Sequence, residues 1–416
     1  MKTIAHKMFD YRLLNRAKSP VFCIITLTTA ILSVIYVDTV ISSISLQSAT
    51  FGTKEISELW IHRHEMKSTL PLLSTQEEIE RIDQGPLLPP LNVTEGERID
   101  WFGRKLPEFD IFKSNNLTQE FDARVLEFFS HGCEVQFFMT WIAPARLFGR
   151  REFLAMDSVF KVHPNGCLVI LSKSMDSNHG YRALKPLIDR GFKVSAISPH
   201  LSFLFNNTPA ESWFDEMRRG RKDPGEIPIA QNLSNLIRLA VLYKYGGVYL
   251  DADFIVLKSF KNLRNSIGAQ SIDIVSKKWT RLNNAVLVFD MNHPLLFKFI
   301  QEFASTFDGN KWGHNGPYLV SRVVQRVEGR PGFNFTVLPP MAFYPVDWNR
   351  IGGLFRKPEN EAISRWVRAK LLQLRGETYG IHLWNKQSSR LRVEEGSVIS
   401  RLILDHCVIC ENIHSS

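Results

Sequence analysis

From about residue 132 to the C-terminus, short apolar runs alternate with helically spaced ones, and this alternation carries most of the structural signal. Strands are predicted over Glu134–Trp141, Gly166–Leu171 and Phe192–Ile197, the last stopped by Ser198-Pro199. Helical spacing lies between them, around Ser158–Phe160 and over Tyr181–Asp189. Strands separated by helices of that length predict βαβ crossovers and a mostly parallel sheet covered on both faces. Ligands of such sheets bind beyond the carboxyl ends of the strands. Further on, Gln231–Tyr245 is apolar on nearly every face and ends at Gly246, so a buried helix with a glycine stop is predicted. The run Gly247–Leu250 then leads directly into Asp251-Ala252-Asp253, and Phe254–Leu257 is apolar again.

The N-terminus has a different texture. Lys2, Lys7, Arg12, Arg16 and Lys18 precede an uncharged stretch, Ser19–Val37, broken by Asp38. At ~1.5 Å per residue it is long enough to cross a hydrocarbon core of ~30 Å. A signal-anchor over 19–41 is expected, with residues 1–18 cytosolic and the remainder lumenal, a type II topology. A cleaved signal peptide is the competing reading. The run is longer than a usual apolar signal core, and no A-x-A cleavage site follows it. Residues 42–130 show no sustained period and read as a stem, followed by one catalytic domain over 131–416. Within the stem, His62 and His64 lie near Glu65, but nothing completes a metal-ligand set.

The 416 residues include 29 Phe, enough apolar material for a substantial core. The formal charge is +9, yet no run of basic residues interleaved with aromatics points to nucleic acid. Anionic membrane surfaces and nucleotide diphosphates are better partners for such a balance. Sequons beyond the apolar stretch, at Asn92, Asn116, Asn206 and Asn334, fit a lumenal location. A fifth, at Asn232, falls in the buried helix and is expected to stay unmodified. Cys133, Cys167, Cys407 and Cys410 form an even set beyond the predicted span, suited to disulfides, with pairing not deducible from spacing. Cys407-Val-Ile-Cys410 could also suggest redox or zinc chemistry, but no second such pair accompanies it.

Asp251 and Asp253, at i and i+2 where a buried strand gives way to a loop, form a short clamp of hard oxygen ligands. Such a clamp suits Mg²⁺ or Mn²⁺ carrying a diphosphate, because these ions take few protein carboxylates and leave positions for phosphate oxygens. Solvated D-x-D pairs are frequent, but here the buried helix, the double glycine and the apolar flanks set this one apart. Arg238 is the one formal charge between Ile227 and Tyr243. A buried guanidinium needs an anion, either a donor phosphate or sugar, or a core carboxylate. Asn235 shares its helix face at i and i+3.

The segment Ser234–Leu257, with Asp251-Ala-Asp253 near its end, resembles the sugar-binding region of DXD-type glycosyltransferases. Together with Arg281–Asp290, Trp312–Leu319 and His382-Leu-Trp384-Asn385, it is similar to lactosylceramide α-1,4-galactosyltransferases and α-1,4-N-acetylglucosaminyltransferases (glycosyltransferase family 32), plant members in particular. The resemblance covers roughly residues 130–416. It implies a GT-A-like, Rossmann-like α/β fold and an enzyme of the Golgi lumen. Such an enzyme would move galactose or N-acetylglucosamine from a nucleotide-sugar, with UDP as the expected carrier, to a glycan or glycolipid with retention. It also implies that Asp253 binds Mn²⁺ or Mg²⁺, that Asp251 contacts the metal shell and donor, and that Arg238 contacts the donor sugar. His382 would meet the metal or diphosphate, or else be a core histidine. Many relatives have Asp where this chain has Asn235, which keeps the hydrogen-bonding geometry without the charge.

Asn283 and Asn284, at a strand start, could read donor hydroxyls or serve ordinary turn chemistry. Trp312, His314, Asn315 and Tyr318 make an aromatic, polar segment expected to hold the acceptor. Asp290 is the candidate for a covalent nucleophile, should retention proceed through one; front-face attack needs none. The rival reading is a catalytically silent GT-A domain acting as a lumenal carbohydrate-binding or scaffold protein. Loss of the clamp or of the isolated arginine would mark it, and both are present.

Overall fold

A seven-stranded sheet forms the centre of the computed structural model, which describes residues 87–410. The expected tail and signal-anchor fall outside those residues, and no helix among the described ones is long and apolar enough to cross a membrane. The strands are β1 (Gln136–Thr140), β2 (Cys167–Leu171), β3 (Lys193–Ile197), β4 (Gly247–Leu250), β6 (Ser266–Ile272), β7 (Trp279–Phe289) and β8 (Thr336–Leu338), in the order β3-β2-β1-β4-β7-β6-β8. A separate two-stranded ribbon pairs β5 (Phe254–Val256) with β9 (Gly380–His382).

β3, β2, β1 and β4 run parallel, and the pairings β4–β7 and β6–β7 are antiparallel. The sheet is therefore mixed, more so than the expected parallel sheet. The β6–β7 ribbon is a direct hairpin and needs no crossover helix. Chain order reverses between β1 and β4, so the loops leaving their carboxyl ends diverge and open a crevice there. Asp251 follows β4 at that point.

Alternation along the strands feeds two cores. Phe138, Val169, Tyr249, Leu287 and Phe289 face one side. There they meet the helices α5 (Ile229–Tyr245), α6 (Pro294–Thr306) and α7 (Pro317–Val327). Phe137, Leu168, Ile170, Val248, Leu250 and Val288 face the other, against α3 (Arg150–Val162) and α4 (Asn178–Ile188). A third cluster joins Ile255 and Ile381 of the ribbon to α8 (Glu361–Glu377) and α9 (Val398–Asp405).

The stem boundary at 130 is corrected. Helices α1 (Glu95–Lys105) and α2 (Phe121–Ser130) bury Phe102, Phe121 and Val125 in the first core, together with Phe109 and Ile111. Each such side chain contributes roughly 1.5–3 kcal/mol on burial, more than a solvated stem could forgo. Arg98, also buried, forms a two-pronged ion pair with Asp223. Their helices are short and separated, which is why no sustained period is visible in the sequence.

Two glycines set the geometry before the clamp. Gly246 (φ 68°) and Gly247 (φ 101°) occupy the left-handed region. A Cβ on either would lie 2.7 Å from the backbone of Met291 or Gln136 respectively. Helix α5 can thus turn at once into β4. A disulfide joins Cys133 to Cys167, tying the approach to β1 to the start of β2, and a second joins Cys407 to Cys410.

Candidate active site

Three elements bring the site together. β4 delivers Asp251 and Asp253; β5 then pairs with β9 in a register that sets Phe254 opposite His382. His382 Nε2 consequently lies 3.2 Å from Asp253 Oδ1 and 3.8 Å from Asp251 Oδ2. One ligand atom from each of the three residues falls within 4.8 Å of the others, the one such cluster found among the described residues. Asp253 is buried, and its Oδ2 accepts the backbone N–H of Asn385 at 2.8 Å. Burial opposes its charge, but His382 and that N–H outweigh burial and hold its pKa below the usual carboxylate range.

Burial likewise opposes a charged His382, yet Asp253 and Asp251 push its pKa up to about 9. The N–H of Trp384, 3.2 Å from Nδ1, favours instead a neutral ring with its proton on Nε2. Both influences keep an Nε2 proton facing Asp253. Trp384 itself has φ 55°, a strained conformation for a bulky residue, and its ring stands edge-on to His382 at 4.4 Å.

Arg238 is buried and faces Asp251, with Nη2 3.0 Å from Oδ1. It also donates to the carbonyls of Asn284 and Ser234 and to Ser234 Oγ, and its guanidinium stacks 4.5 Å over the ring of Tyr249. A chain of hydroxyls runs beside it: Ser234 Oγ to Thr140 Oγ1 at 2.6 Å, Thr140 Oγ1 to Tyr249 OH at 2.7 Å, and Tyr249 OH to Asp251 Oδ1 at 3.0 Å. Arg238 only donates and the Asp251 carboxylate only accepts, so the direction of every hydroxyl is settled: Ser234 donates to Thr140, Thr140 to Tyr249, and Tyr249 to Asp251. The arginine therefore positions one tooth of the clamp and is neutralised by it. Of its two competing readings, the carboxylate partner is the one present, and that carboxylate is Asp251 of the clamp.

The two asparagines, expected at a strand start, lie inside β7, and their amides already have protein partners. Asn283 Oδ1 accepts the N–H of Ala285 and its Nδ2 donates to Gln270, while Asn284 Nδ2 donates to Asn235 Oδ1. Both are buried. They lie at the site because β7 runs antiparallel to β4, with Ala285 accepting the N–H of Asp251. Gly316, at the start of α7, backs onto this junction: a Cβ there would stand 2.8 Å from Asn235 Oδ1.

The segment expected to hold an acceptor divides. Asn315 is buried; its Nδ2 donates to Asn232 and to the carbonyl of Asp308, and its Oδ1 accepts from Asp308 N–H, so its role is structural. Asn232, the sequon residue in α5, is buried with it. His314 uses Nε2 on the carbonyl of Thr306. Trp312 (48% exposed) and Tyr318 (42%) do present aromatic surface, each ring with a cation over one face, Lys386 Nζ at 3.3 Å and Arg281 Cζ at 4.7 Å respectively. Asn92, Asn116, Asn206 and Asn334 are all exposed.

Asp290 is excluded as a nucleophile. It follows Phe289, which pairs with Gly247 at the far end of β4, and it binds Arg264 and Asn265 there.

Asn385 enters the sequence reading only as part of the His382-Leu-Trp384-Asn385 motif, without a role, and Glu152 does not enter it. Glu152 Oε2 accepts the N–H of Gly149, and Oε1 faces Asn385 Nδ2 at 3.4 Å. Burial pushes its carboxyl up, and Asp253 adds to that. Asn385 Oδ1 is buried without a hydrogen-bond partner. The sequence signal for Asn385 was its place directly after His382-Leu-Trp; Glu152 carried none.

The donor set fits a divalent cation: two carboxylates and an imidazole, with spacings of 3.2 and 3.8 Å, converge beside an unpaired amide oxygen.

Comparison with known proteins agrees with this geometry. Residues 149–272 match the family model described as a glycosyltransferase sugar-binding region containing the DXD motif, and residues 288–414 match the alpha 1,4-glycosyltransferase conserved region. The chain is similar to lactosylceramide 4-alpha-galactosyltransferase of Rattus norvegicus, 34% identical over 272 residues, covering 62% of this chain and 69% of that relative. It is 30% identical to an uncharacterized protein of Arabidopsis thaliana, over 68% of this chain and 43% of the other. It is 26% identical to human alpha-1,4-N-acetylglucosaminyltransferase, over 61% and 73% respectively.

Proposed function

Because this chain belongs to the alpha-1,4-glycosyltransferase family and is a glycosyltransferase with a DXD sugar-binding region, we propose that it transfers a hexose, galactose or N-acetylglucosamine, from a UDP-sugar to a glycan or glycolipid with retention, using Mn²⁺ or Mg²⁺. The convergence of Asp251, Asp253 and His382 beside Arg238 is the observation that carries this reading.

Asp251 and Asp253 would hold the cation with His382 as third ligand, and a cation on Nε2 would displace the proton that faces Asp253. Bound there, it would offset negative charge developing on the departing diphosphate. The protein's own contribution is rigidity. Tyr249 and Arg238 fix Asp251, the N–H of Asn385 fixes Asp253, and Trp384 sets the imidazole. Such orienting partners keep the ligands from paying for reorganisation when substrate arrives. Trp312 and Tyr318 supply flat apolar faces suited to an acceptor sugar.

We place the enzyme in the Golgi membrane as a single-pass type II protein with a GT-A-like lumenal catalytic domain. The basic flank and uncharged stretch at Ser19–Val37, the exposed sequons and the two disulfides support this. Hydrolysis of UDP-galactose and UDP-N-acetylglucosamine with added Mn²⁺, followed by a chelator, tests the reading. Turnover that survives both the chelator and Asp253→Ala would dispose of it.

A further inference from the structure

The β6–β7 hairpin carries the two most exposed large apolar side chains among the described residues, Ile274 (80%) and Val275 (91%), with Ile272 (39%) just below them. They are not on a loose loop. Asp273 Oδ1 accepts both the N–H and the hydroxyl of Ser276, Asp273 N–H bonds the carbonyl of Lys278, and Lys277 N–H bonds that of Asp273. A closed turn thus holds Ile274 and Val275 outward, at the place where a soluble hairpin normally carries polar turn residues. Lys277 and Lys278 follow, both exposed and neither in an ion pair among the described residues.

The direction of this prong follows from register. Ala285 lies beside the end of β4, next to Asp251, whereas Val288 and Phe289 lie beside its start. The β7 residues before Asn283 therefore continue past the carboxyl ends of the parallel strands, on the side where the crevice opens. From Asn284 to Trp279 the strand advances ~17 Å at ~3.4 Å per residue, and the turn lies beyond that. Arg281, stacked on Tyr318, sits between tip and site.

We propose that this hairpin is a membrane-contacting prong, which dips Ile274 and Val275 into the headgroup boundary of the leaflet it faces, with Lys277 and Lys278 against the lipid phosphates, and so presents the active site to a lipid-borne acceptor. The proposal deepens the transferase reading above and rests on it for the acceptor. The occupant is a bilayer because two aliphatic side chains offer far less area than a stable protein interface needs, roughly 1,000 Å² or more. Shallow insertion needs only a few apolar side chains assisted by neighbouring cations. Lys277 and Lys278 supply those cations and outnumber the one acid of the tip, Asp273, whose exposed carboxylate accepts from Ser276.

The test uses the full chain with Cys23→Ser, reconstituted in phosphatidylcholine–phosphatidylserine vesicles. One version carries Val275→Cys labelled with an environment-sensitive nitrobenzoxadiazole dye. A second carries the dye at Asn334→Cys, which lies next to β8 at the opposite end of the hairpin. The expected result is blue-shifted emission at 275, quenched by brominated-chain phosphatidylcholine several-fold more than at 334, and weakened by Lys277→Glu with Lys278→Glu. Water-like emission at both positions overturns the proposal, as does a blue shift at 275 that brominated lipid leaves unquenched, which would mark a protein contact. Equal quenching at 275 and 334 overturns it too, since anchoring alone would then explain the result. The readout needs no catalysis, so a failure of donor hydrolysis would strike the transferase reading and leave this result standing.

Discussion

The backbone N–H of Asn385 donates to Asp253 Oδ2 at 2.8 Å across 132 residues of sequence. One tooth of the DXD clamp is therefore oriented by the C-terminal part of the chain, through the β5–β9 pairing that also delivers His382. The site is a closed set of mutual supports, and each support can be removed separately.

Replacing Asp253 with Asn keeps the shape and removes the charge that faces His382. Donor hydrolysis in Mn²⁺ is expected to fall by about 100-fold or more, the scale seen when one group stabilising a transition state is lost. The folded state should survive. A variant with near-normal hydrolysis by product chromatography would show that the cation is held elsewhere.

Arg238→Lys retains a positive charge but not the planar fork that serves Asp251, Asn284 and Ser234 together. At least one buried acceptor is left unmatched, at a cost of about 1–3 kcal/mol. Both the urea midpoint and donor turnover should drop. If stability fell while turnover held, Arg238 would be a core ion-pair residue without influence on the clamp.

His163 sets a pH limit on stability. Its Nε2 accepts the N–H of Phe260, its ring lies against Phe137 and Phe260, and burial lowers its pKa to about 4. In the unfolded chain it titrates near 6.5. The unfolded state thus gains its proton first, so stability is full above about 6.5 and is lost progressively as pH falls toward about 4. Melting curves across that range should slope less steeply for His163→Gln than for the parent chain; parallel slopes would rule this out.

The Cys133–Cys167 disulfide closes a sequence separation of 34 residues. On chain-entropy grounds its loss costs about 3–4 kcal/mol. Cys133→Ser with Cys167→Ser should lower the denaturation midpoint by a corresponding amount without changing the Mn²⁺ dependence of hydrolysis. The pairing of Cys407 with Cys410 spans a separation of only three residues, and its removal should matter less.

Trp312→Ala and Asn315→Ala should part company although they are three positions apart. The first removes an exposed ring and is expected to raise KM for acceptor while leaving donor hydrolysis and melting unchanged. The second removes the amide shared by Asn232 and Asp308, and should destabilise by about 1–3 kcal/mol. A reversed pattern, measured by transfer kinetics and calorimetry, would reassign both.

Much of this molecule is readable from local pattern. The period of β1, β2 and β3, the all-round apolar helix α5, the glycine stop and the carboxylates at i and i+2 are near-neighbour signals, set by steric and solvation rules that act over a few residues. They sufficed to mark Asp251, Asp253 and Arg238 and to suggest what chemistry they serve. Partnership across the chain was not readable in the same way. That Asn283 and Asn284 turn inward, that Asn315 joins Asn232, and that Asp290 sits at the wrong end of the sheet all depend on the direction and register of β7, which no periodicity encodes. Nor does any local rule say that α1 and α2 complete the core, because a short amphipathic helix has no stable place until a partner surface exists to cover it. The residue types declared the chemistry; the antiparallel turn-back of β7 and the β5–β9 pairing decided which of them meet.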